Sequence, residues 1–226
     1  MELIEAIRSR QSVRGYKSTS VPKDILTEIL NLARLAPSAT NCQPWEFIIL
    51  TDDSLQKAKQ VNIEQSQAGA EIKPDFQAIP PNKLASPYVD RQNALARGMF
   101  NSAEIQRIDR EKREEWKQKG KRFFDAPAAI LICADESILD DHHQIPLIDI
   151  GLVTQTITLA ALEYDLGTCI QQDTIFYPEA LKKALDIPLE KKLIVAIAIG
   201  YPDWDFPANN FRSERESLDL IATWKS

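Results

Sequence analysis

Side chains that can bind an anion are concentrated near the beginning of the chain. Arg8, Arg10 and Arg14 fall in one short segment, and Ser12 lies between the last two. Guanidinium groups this close repel one another unless they share an anion, and guanidinium matches phosphate in a bidentate geometry. The segment therefore indicates a phosphate-binding site, for which the alternative is a solvated basic patch.

A second polar stretch lies between Pro37 and Pro44, after an apolar helical run and before the β-rich run of residues 47–50. Its hydrogen-bonding side chains are Ser38, Thr40, Asn41 and Gln43. Each proline fixes φ and removes a backbone donor, so the shape of the loop is partly preset. These side chains suit a flat ligand with polar edges, with Trp45 closing the apolar side; an ordinary helix-capping turn is the alternative.

Several common catalytic arrangements are missing from the sequence. Its seven glycines form neither a Gly-x-Gly-x-x-Gly fingerprint nor a P-loop. His142 and His143 are adjacent, a spacing that cannot build a metal site by itself, and Cys42 has no histidine partner in its stretch. We therefore predict no catalytic side chain and no metal site. The chemistry must come from a cofactor, and a flavin needs only placement and electrostatics from the protein.

Alternating helical and strand patterns position these stretches. Helices are predicted from residue 3 to about Arg10, from the stretch 21–24 with Pro22 near the first turn to Ala33, from Asp52 or Asp53 to about Ile63, and over 178–185. Strands are predicted at 46–51, 128–134 and 193–199, residues 167–172 are predicted to lead to another strand, and a strand entry is predicted at 123–126. The buried stripe of the second helix comprises Ile25, Leu26, Ile29, Leu30, Leu32 and Ala33. The interleaving of these elements predicts a central sheet covered by helices.

Two further segments carry specific expectations. Residues 73–90 are rich in proline and predict a long loop, and residues 92–122 predict one long, densely charged helix. Together they predict a lid or insertion at about 73–122, with a plain surface helix as the alternative. Residues 148–162 are apolar on nearly all sides, which predicts a helix buried all round and shared with a partner subunit.

The composition is that of a single globular domain spanning residues 1–226. A net charge of −6 argues against a nucleic-acid partner. The first residues lack a basic region before an apolar one, so no signal peptide is expected, and no uninterrupted apolar run approaches a membrane span. Three cysteines, an odd number, are expected to be reduced. We therefore expect a cytoplasmic protein without a membrane partner.

The motifs resemble those of the FMN-dependent nitroreductase family. The resemblance rests on the Arg-x-Ser-x-Arg-x-aromatic element of residues 10–16 and on the Pro-Ser-x-x-Asn-x-Gln-Pro-Trp-x-Phe loop of residues 37–47. It rests also on a C-terminal element comprising Gly200-Tyr201-Pro202, Pro207-Ala208-Asn209 and residues 212–219. The three elements occur in the family order and cover nearly the whole chain except its middle segment.

The resemblance implies an α+β fold with a central, mostly antiparallel sheet flanked by helices and a C-terminal arm that crosses onto a second protomer. It implies a homodimer that binds FMN and transfers electrons from NAD(P)H to a nitroaromatic, quinone or similar small acceptor by a ping-pong mechanism. One alternative is a reductive dehalogenase or another specialised member of the same fold. The other is a flavin-binding protein without turnover.

The resemblance also assigns site residues. The phosphate and the pyrimidine edge of FMN are assigned to Arg10, Gln11, Ser12 and Arg14, with Arg215 and, less directly, Arg212 on the phosphate. The second subunit is expected to contribute Pro37, Ser38, Ala39, Thr40 and Asn41. The backbone of Gln171 and Gln172 is expected near flavin N5, and Lys119 and Arg122 near the ring edge.

Overall fold

A four-stranded antiparallel sheet forms the centre of the computed structural model, which describes residues 1–76, 81–139 and 144–225. The strands are β1 (Glu46–Thr51), β2 (Ala128–Asp135), β3 (Gly167–Gln171) and β4 (Lys191–Gly200). Their order is β1-β2-β4-β3, and each neighbouring pair is antiparallel. Nearly every residue of the two central strands is buried, as expected for apolar runs covered on both faces. The α+β prediction with an antiparallel sheet is confirmed.

Helices cover both faces of the sheet. The helices within the described residues are α1 (Leu3–Ser9), α2 (Lys23–Ala33), α3 (Asp52–Gln67), α4 (Ser86–Ser102), α5 (Arg110–Lys121), α6 (Ile145–Ala160), α7 (Pro178–Ala184) and α8 (Leu218–Ile221). Buried side chains of α2 and α6 pack on one face, and those of α3, α5 and α7 pack on the other. The edge strand β3 lies next to the segment that carries the first arginines, because Ser12 pairs with Thr168.

Two boundaries of α3 differ from the prediction. Thr51, not Asp52 or Asp53, is the residue that precedes the helix, and its N–H donates to Ser54 Oγ at 3.1 Å. This hydrogen bond satisfies a backbone N–H at the beginning of the helix, so no aspartate is needed there as a cap. The helix also continues to Gln67, beyond the predicted end at Ile63. Residues 123–126, predicted as a strand entry, form a 3-10 turn over Phe123–Asp125.

The segment 73–122 contains two helices rather than one long loop and one long helix. The helix α4 begins at Ser86, with Pro87 in its first turn, where a missing backbone N–H costs nothing. It ends at Ser102, and Glu104 has a φ of 57°, a conformation that interrupts a helix. The helix α5 then begins at Arg110, so the prediction of one continuous helix is wrong. Residues 77–80 of the predicted loop lie outside the described residues.

The helix α6 has two different apolar sides. Ile150, Val153 and Ile157 are buried against the sheet, whereas Ile148 is 65% exposed and Leu152 is 41% exposed. Within one chain only the inner side is buried, and burial of the outer side against a partner subunit stays a prediction. The stripe predicted for α2 is wrong at one position, since Leu32 is exposed as well.

The stretch Ile145–Tyr164 is long and apolar enough to cross a membrane by length and average hydropathy. Asp149 and several threonines interrupt it, so it meets this criterion as an average and not as an uninterrupted apolar run. The inner residues of this stretch pack on the sheet. The core helix of a globular domain can meet the same criterion of length and hydropathy.

Candidate functional site

The arginine segment is an extended strip placed along the free edge of β3. Val13 donates its N–H to the Thr168 carbonyl at 2.9 Å, and Val13 itself is buried. Backbone pairing fixes the register of this strip against the sheet, so that the side chains of Arg10, Ser12 and Arg14 occupy defined positions beside the strand. All three are half-buried.

Asn209 fixes the far end of this strip, although it was not among the residues predicted from the sequence to form the site. Its Oδ1 accepts from the N–H groups of Arg14, at 2.7 Å, and Gly15, at 3.2 Å. Its Nδ2 donates to the carbonyls of Gly15, at 2.8 Å, and Asp203, at 2.7 Å. The Asn209 carbonyl also accepts from Gln11 Nε2 at 2.8 Å. A signal for this role was available, because Asn209 belongs to the C-terminal element that carried the family resemblance.

The positive charge of the strip is not neutralised by the described residues. No carboxylate among them forms an ion pair with Arg10, Arg14, Arg212 or Arg215. Burial, and next the charge of Arg215, lower the pKa of Arg10, and Arg212 adds to this effect. Guanidinium groups that repel one another in a half-buried position are stabilised by a bound anion. The cluster therefore fits the phosphate of FMN.

The two C-terminal arginines are held differently. Arg212 donates from Nη1 to the Arg8 carbonyl at 2.8 Å and from Nη2 to the Ser9 carbonyl at 2.6 Å. These carbonyls lie at the end of α1, where helical carbonyls lack internal partners. Arg212 thus ties the C-terminal arm to α1, whereas Arg215 bonds only within its own turn, to Ser213 and Glu214, among the described residues.

The end of β3 and the end of α5 meet in a buried polar contact. Gln171 turns its side chain inward and donates to the Gly120 carbonyl at 3.0 Å and to Asp173 Oδ1 at 3.2 Å. A Cβ on Gly120 would lie 2.8 Å from Asp173 Oδ2, so this close approach requires glycine. Burial raises the pKa of Asp173. The side chain of Gln171 is therefore engaged in structure, while Gln172 is exposed.

Lys119 and Arg122 converge on one carboxylate. Arg122 Nε lies 2.8 Å from Asp125 Oδ1, and Lys119 Nζ lies 3.1 Å from Asp125 Oδ2. Burial alone would raise the pKa of Asp125, but the hydrogen bonds from Arg122 and Lys119 outweigh burial and lower it. The two cations around one anion leave a net positive charge at this end of α5.

Aromatic rings connect this positive end of α5 to the arginine strip. The Arg14 Cζ atom lies 5.8 Å from the centre of the Phe124 ring, and Lys119 Nζ lies 5.2 Å from that of Phe206. Phe206 in turn packs where a Cβ on Gly15 would lie 2.4 Å from the ring. The structure thus brings Lys119 close to the arginine strip that is predicted to bind FMN, with aromatic rings between them.

The polar loop of residues 37–43 packs elsewhere. Asp149 of α6 accepts from the Ala39 N–H, with Oδ1 at 3.1 Å and Oδ2 at 3.2 Å. Thr40, Asn41 and Gln43 all have positive φ values, and their side chains are exposed. Within the described parts of the chain, no hydrogen bond or ion pair joins this loop to the arginine strip. One chain therefore does not bring the two predicted halves of the site into direct polar contact.

The two buried cysteines are not activated nucleophiles. Burial is the main cause that raises the pKa of Cys133 and of Cys169 to about 11, so neither is a thiolate near neutral pH. Cys42 is exposed in the polar loop. Among the described residues no group of His, Cys, Asp and Glu side chains is arranged to hold a metal ion. His142 and His143 lie outside the described residues.

The sequence model of the nitroreductase family matches residues 7–201, which include the arginine strip, the polar loop and all four strands. The chain belongs to the nitroreductase family. The four arginines without carboxylate partners among the described residues and the cofactor-dependent chemistry expected from the sequence agree with this membership.

Known nitroreductases align with this chain over nearly its whole length. A 4-nitrobenzoate reductase of Nocardioides sp. (strain LMS-CY) is 28% identical over 227 residues, which cover 99% of this chain and 90% of that protein. A chloronitrobenzene nitroreductase of Comamonas testosteroni is 28% identical, with coverage of 97% and 95%. The crystal structure of the FMN and NADPH-dependent nitroreductase NfnB of Sphigopyxis sp. strain HMH superposes with a TM-score of 0.93 at 26% identity, covering all of both chains.

Proposed function

We propose that this nitroreductase-family protein is an FMN-dependent oxidoreductase that transfers electrons from NAD(P)H to nitroaromatic compounds and to similar acceptors such as quinones. The observation that carries the proposal is the cluster of arginines beside β3 that no described carboxylate neutralises, in a chain of this family. The names of the aligned relatives, a 4-nitrobenzoate reductase and a chloronitrobenzene nitroreductase, support nitroaromatic acceptors. The same names favour nitro reduction over reductive dehalogenation.

The arginine strip and the C-terminal arm would hold the cofactor. Arg10 and Arg215 are assigned to the phosphate, because burial and mutual repulsion leave Arg10 in need of an anion. Arg212 supports them indirectly by fixing the arm to α1. Gln11, Ser12 and Arg14 are assigned to the pyrimidine edge, and the backbone at Gln171 and Gln172 to the region of N5.

FMN supplies the electron transfer itself, and the task of the protein is to place the cofactor and its partners. NAD(P)H and the acceptor would occupy the same place in turn, as a ping-pong mechanism requires. The net positive charge of Lys119 and Arg122 around Asp125 lies near the arginine strip and suits negative charge that develops during reduction. No nucleophilic side chain is needed. Reduced nicotinamide nucleotides are the electron source, and we place the reaction in the cytoplasm.

Assembly as a homodimer would complete the site. Large apolar side chains are exposed in one chain on α1, on the outer side of α6 and in the C-terminal arm. They include Leu3, Ile4, Ile7, Ile145, Ile148, Leu152, Leu218, Leu220, Ile221 and Trp224. Exposure of this kind marks an interaction surface. A second protomer would cover it, receive the crossing C-terminal arm and bring its loop of residues 37–41 to the flavin.

We further propose that residues 73–122 form the lid of a single domain that spans the chain. The helix α4 has no fully buried residue and meets α5 through Phe100 near its C-terminal end, whereas the buried Trp116 of α5 packs against Phe124 and Phe206. This difference suits a segment anchored through α5 and able to adjust through α4. Acceptor choice would depend mainly on this segment.

The test is to purify the protein, release any bound flavin by denaturation, and measure NADH and NADPH oxidation with 4-nitrobenzoate, chloronitrobenzene, a quinone, an enone and a halophenol. We expect a yellow protein that releases FMN and turns over the nitroaromatics. Rapid mixing should show bleaching by NAD(P)H and recolouring by the acceptor as separable phases. Bound FMN without turnover would support a flavin-binding protein instead, and turnover confined to halophenols would support a dehalogenase. Absence of flavin would refute the cofactor assignment.

A further inference from the structure

Asp149 is a buried carboxylate that the proposed reaction does not use. It is 4% exposed, and no cation among the described residues forms an ion pair with it. Both of its oxygens lie within hydrogen-bond distance of one donor, the Ala39 N–H. Burying a carboxylate costs free energy unless the carboxylate is hydrogen-bonded or paired with a cation. Its one backbone partner among the described residues lies at the beginning of the polar loop.

The loop that Asp149 contacts is held in an unfavourable backbone conformation. Thr40, Asn41 and Gln43 have φ values of 49°, 58° and 48°. Residues other than glycine rarely adopt this left-handed region, and β-branched threonine is especially disfavoured there. Such strain persists only where surrounding contacts hold the backbone in place, and it is concentrated at functional sites.

The contacts within the loop do not connect it to the rest of the fold. Ser38 Oγ accepts from the Gln43 N–H at 2.9 Å, and Gln43 Nε2 donates to the Asn41 carbonyl at 3.3 Å. The hydrogen bond to Asp149 is the one that links residues 39–43 to another element in the described parts of the chain. The buried ring of Trp45 anchors the chain only after the loop has ended.

We propose that Asp149 is a positioning residue for the flavin site, and that its carboxylate holds the strained loop in the conformation that presents Ser38, Thr40 and Asn41 to FMN across the dimer interface. This inference rests on the proposed function and deepens it. Asp149 belongs to α6, whose outer side carries Ile148 and Leu152, so the same helix supports the proposed interface and the loop. The hydrogen-bond acceptor, rather than the charge, is the property required.

The experiment removes each partner of this hydrogen bond in turn. Asp149→Leu removes the acceptor, Ala39→Pro removes the donor without altering α6, and Asp149→Asn keeps one acceptor oxygen. Proline is acceptable at the first position of a 3-10 turn, and Ser38 before it is already extended, with a φ of −142° and a ψ of 154°. Thr158→Val is the matched control, because Thr158 is buried in the same helix and bonds only to Gln155 among the described residues.

The loop contains its own reporter, since Cys42 is exposed whereas Cys133 and Cys169 are buried. The rate at which a thiol reagent modifies Cys42 in the FMN-loaded protein measures loop opening without reference to turnover. We expect about tenfold faster modification and about tenfold weaker FMN binding in Asp149→Leu and in Ala39→Pro, as for the loss of one hydrogen bond. Asp149→Asn should stay within about threefold of the parent. Because the two changes break one bond, the double variant should be no worse than either single variant.

The outcomes separate the two proposals. If Thr158→Val and Asp149→Leu react at the same rate at Cys42, or if the effects of Asp149→Leu and Ala39→Pro add, the positioning role is wrong. If Asp149→Leu does not fold, the Cys42 modification rates and FMN affinities of Ala39→Pro and Asp149→Asn decide whether Asp149 has the positioning role. Should the parent bind no FMN, the thiol rates in the flavin-free protein still test the hydrogen bond, and the proposed function is what fails.

Discussion

Replacing Asn209 by leucine should destabilise both the fold and the flavin site. Leucine fills a similar volume but leaves the N–H groups of Arg14 and Gly15 without a partner among the described residues. The carbonyls of Gly15 and Asp203 lose the Asn209 amide but still accept from the N–H groups of Asp203 and Phe206. A buried polar group left unsatisfied costs about 1–3 kcal/mol. The hydrogen bond from the Gly15 N–H is buried, whereas the one from the Arg14 N–H is partly buried and water can replace it. We therefore expect a loss of about 2–4 kcal/mol in the free energy of unfolding, with weaker FMN binding because Arg14 loses its fixed position.

Denaturant unfolding and FMN fluorescence titration measure these two effects. Asn210→Leu is the matched control, since Asn210 is the exposed neighbour and its side chain makes no hydrogen bond with described residues. Asn209→Asp gives a second check. This variant keeps the acceptor for the N–H groups of Arg14 and Gly15 but places an anion against two carbonyls. Its free energy of unfolding and its FMN affinity should therefore recover partly at low pH, where a protonated carboxyl can donate to a carbonyl. Equal unfolding midpoints and equal FMN affinities in Asn209→Leu and Asn210→Leu would refute the bracing role of Asn209.

The remaining predictions concern charge, pH, assembly and the loop cysteine. Arg10→Ala and Arg215→Ala should each weaken FMN by about 1.5–3 kcal/mol in a titration, and undiminished affinity in both would disprove the phosphate assignment. Because burial raises the pKa of Asp173 above 3.8 in the folded state, its contribution to stability is complete below that value and is lost as the pH rises through the folded pKa. The parent should therefore lose stability relative to Asp173→Asn as the pH rises from about 4 toward neutrality, and unfolding curves that keep a constant difference would contradict this. Ile148→Glu should convert a dimer to a monomer with loss of FMN in sedimentation experiments; a dimer that persists would show that α6 is not the interface. Cys42→Ala should keep most of the turnover, and selective loss of the acceptor half-reaction with FMN still bound would indicate covalent catalysis.

Local patterns in the sequence predicted most of the strands correctly. The strand Glu46–Thr51 was placed at its observed bounds, and β2 ends one residue beyond the predicted 134. These runs combine apolar and β-branched residues with clear boundaries, so neighbouring residues contain the information. Boundaries that depend on a turn were placed less well. Pro87 indicated a loop but lies in the first turn of α4, where proline is equally suitable.

The flanking arginines show a limit of residue-by-residue inference. Arg212 was a candidate phosphate ligand by its charge and position, yet its guanidinium bonds to two carbonyls at the end of α1. The backbone of Gln171 is predicted to lie near the flavin, and its side chain joins Gly120 to Asp173, a role that the sequence did not indicate. In each case the side-chain type permits both roles, and only the neighbours brought together by folding select one.

The sequence by itself determined a central sheet covered by helices, the dependence on a cofactor and the basic character of the arginine strip, because these follow from apolar periodicity, missing motifs and charge. The antiparallel character of the sheet was implied only by the family resemblance. The tertiary structure alone decided which residues hold the site in place. Asn209 lies 195 residues from Arg14, and Asp149 lies 110 residues from Ala39, yet each pair is joined by a hydrogen bond. It also decided which side of α6 stays exposed. The physical reason is that a hydrogen bond or a buried face depends on distance in space, which separation along the chain does not specify.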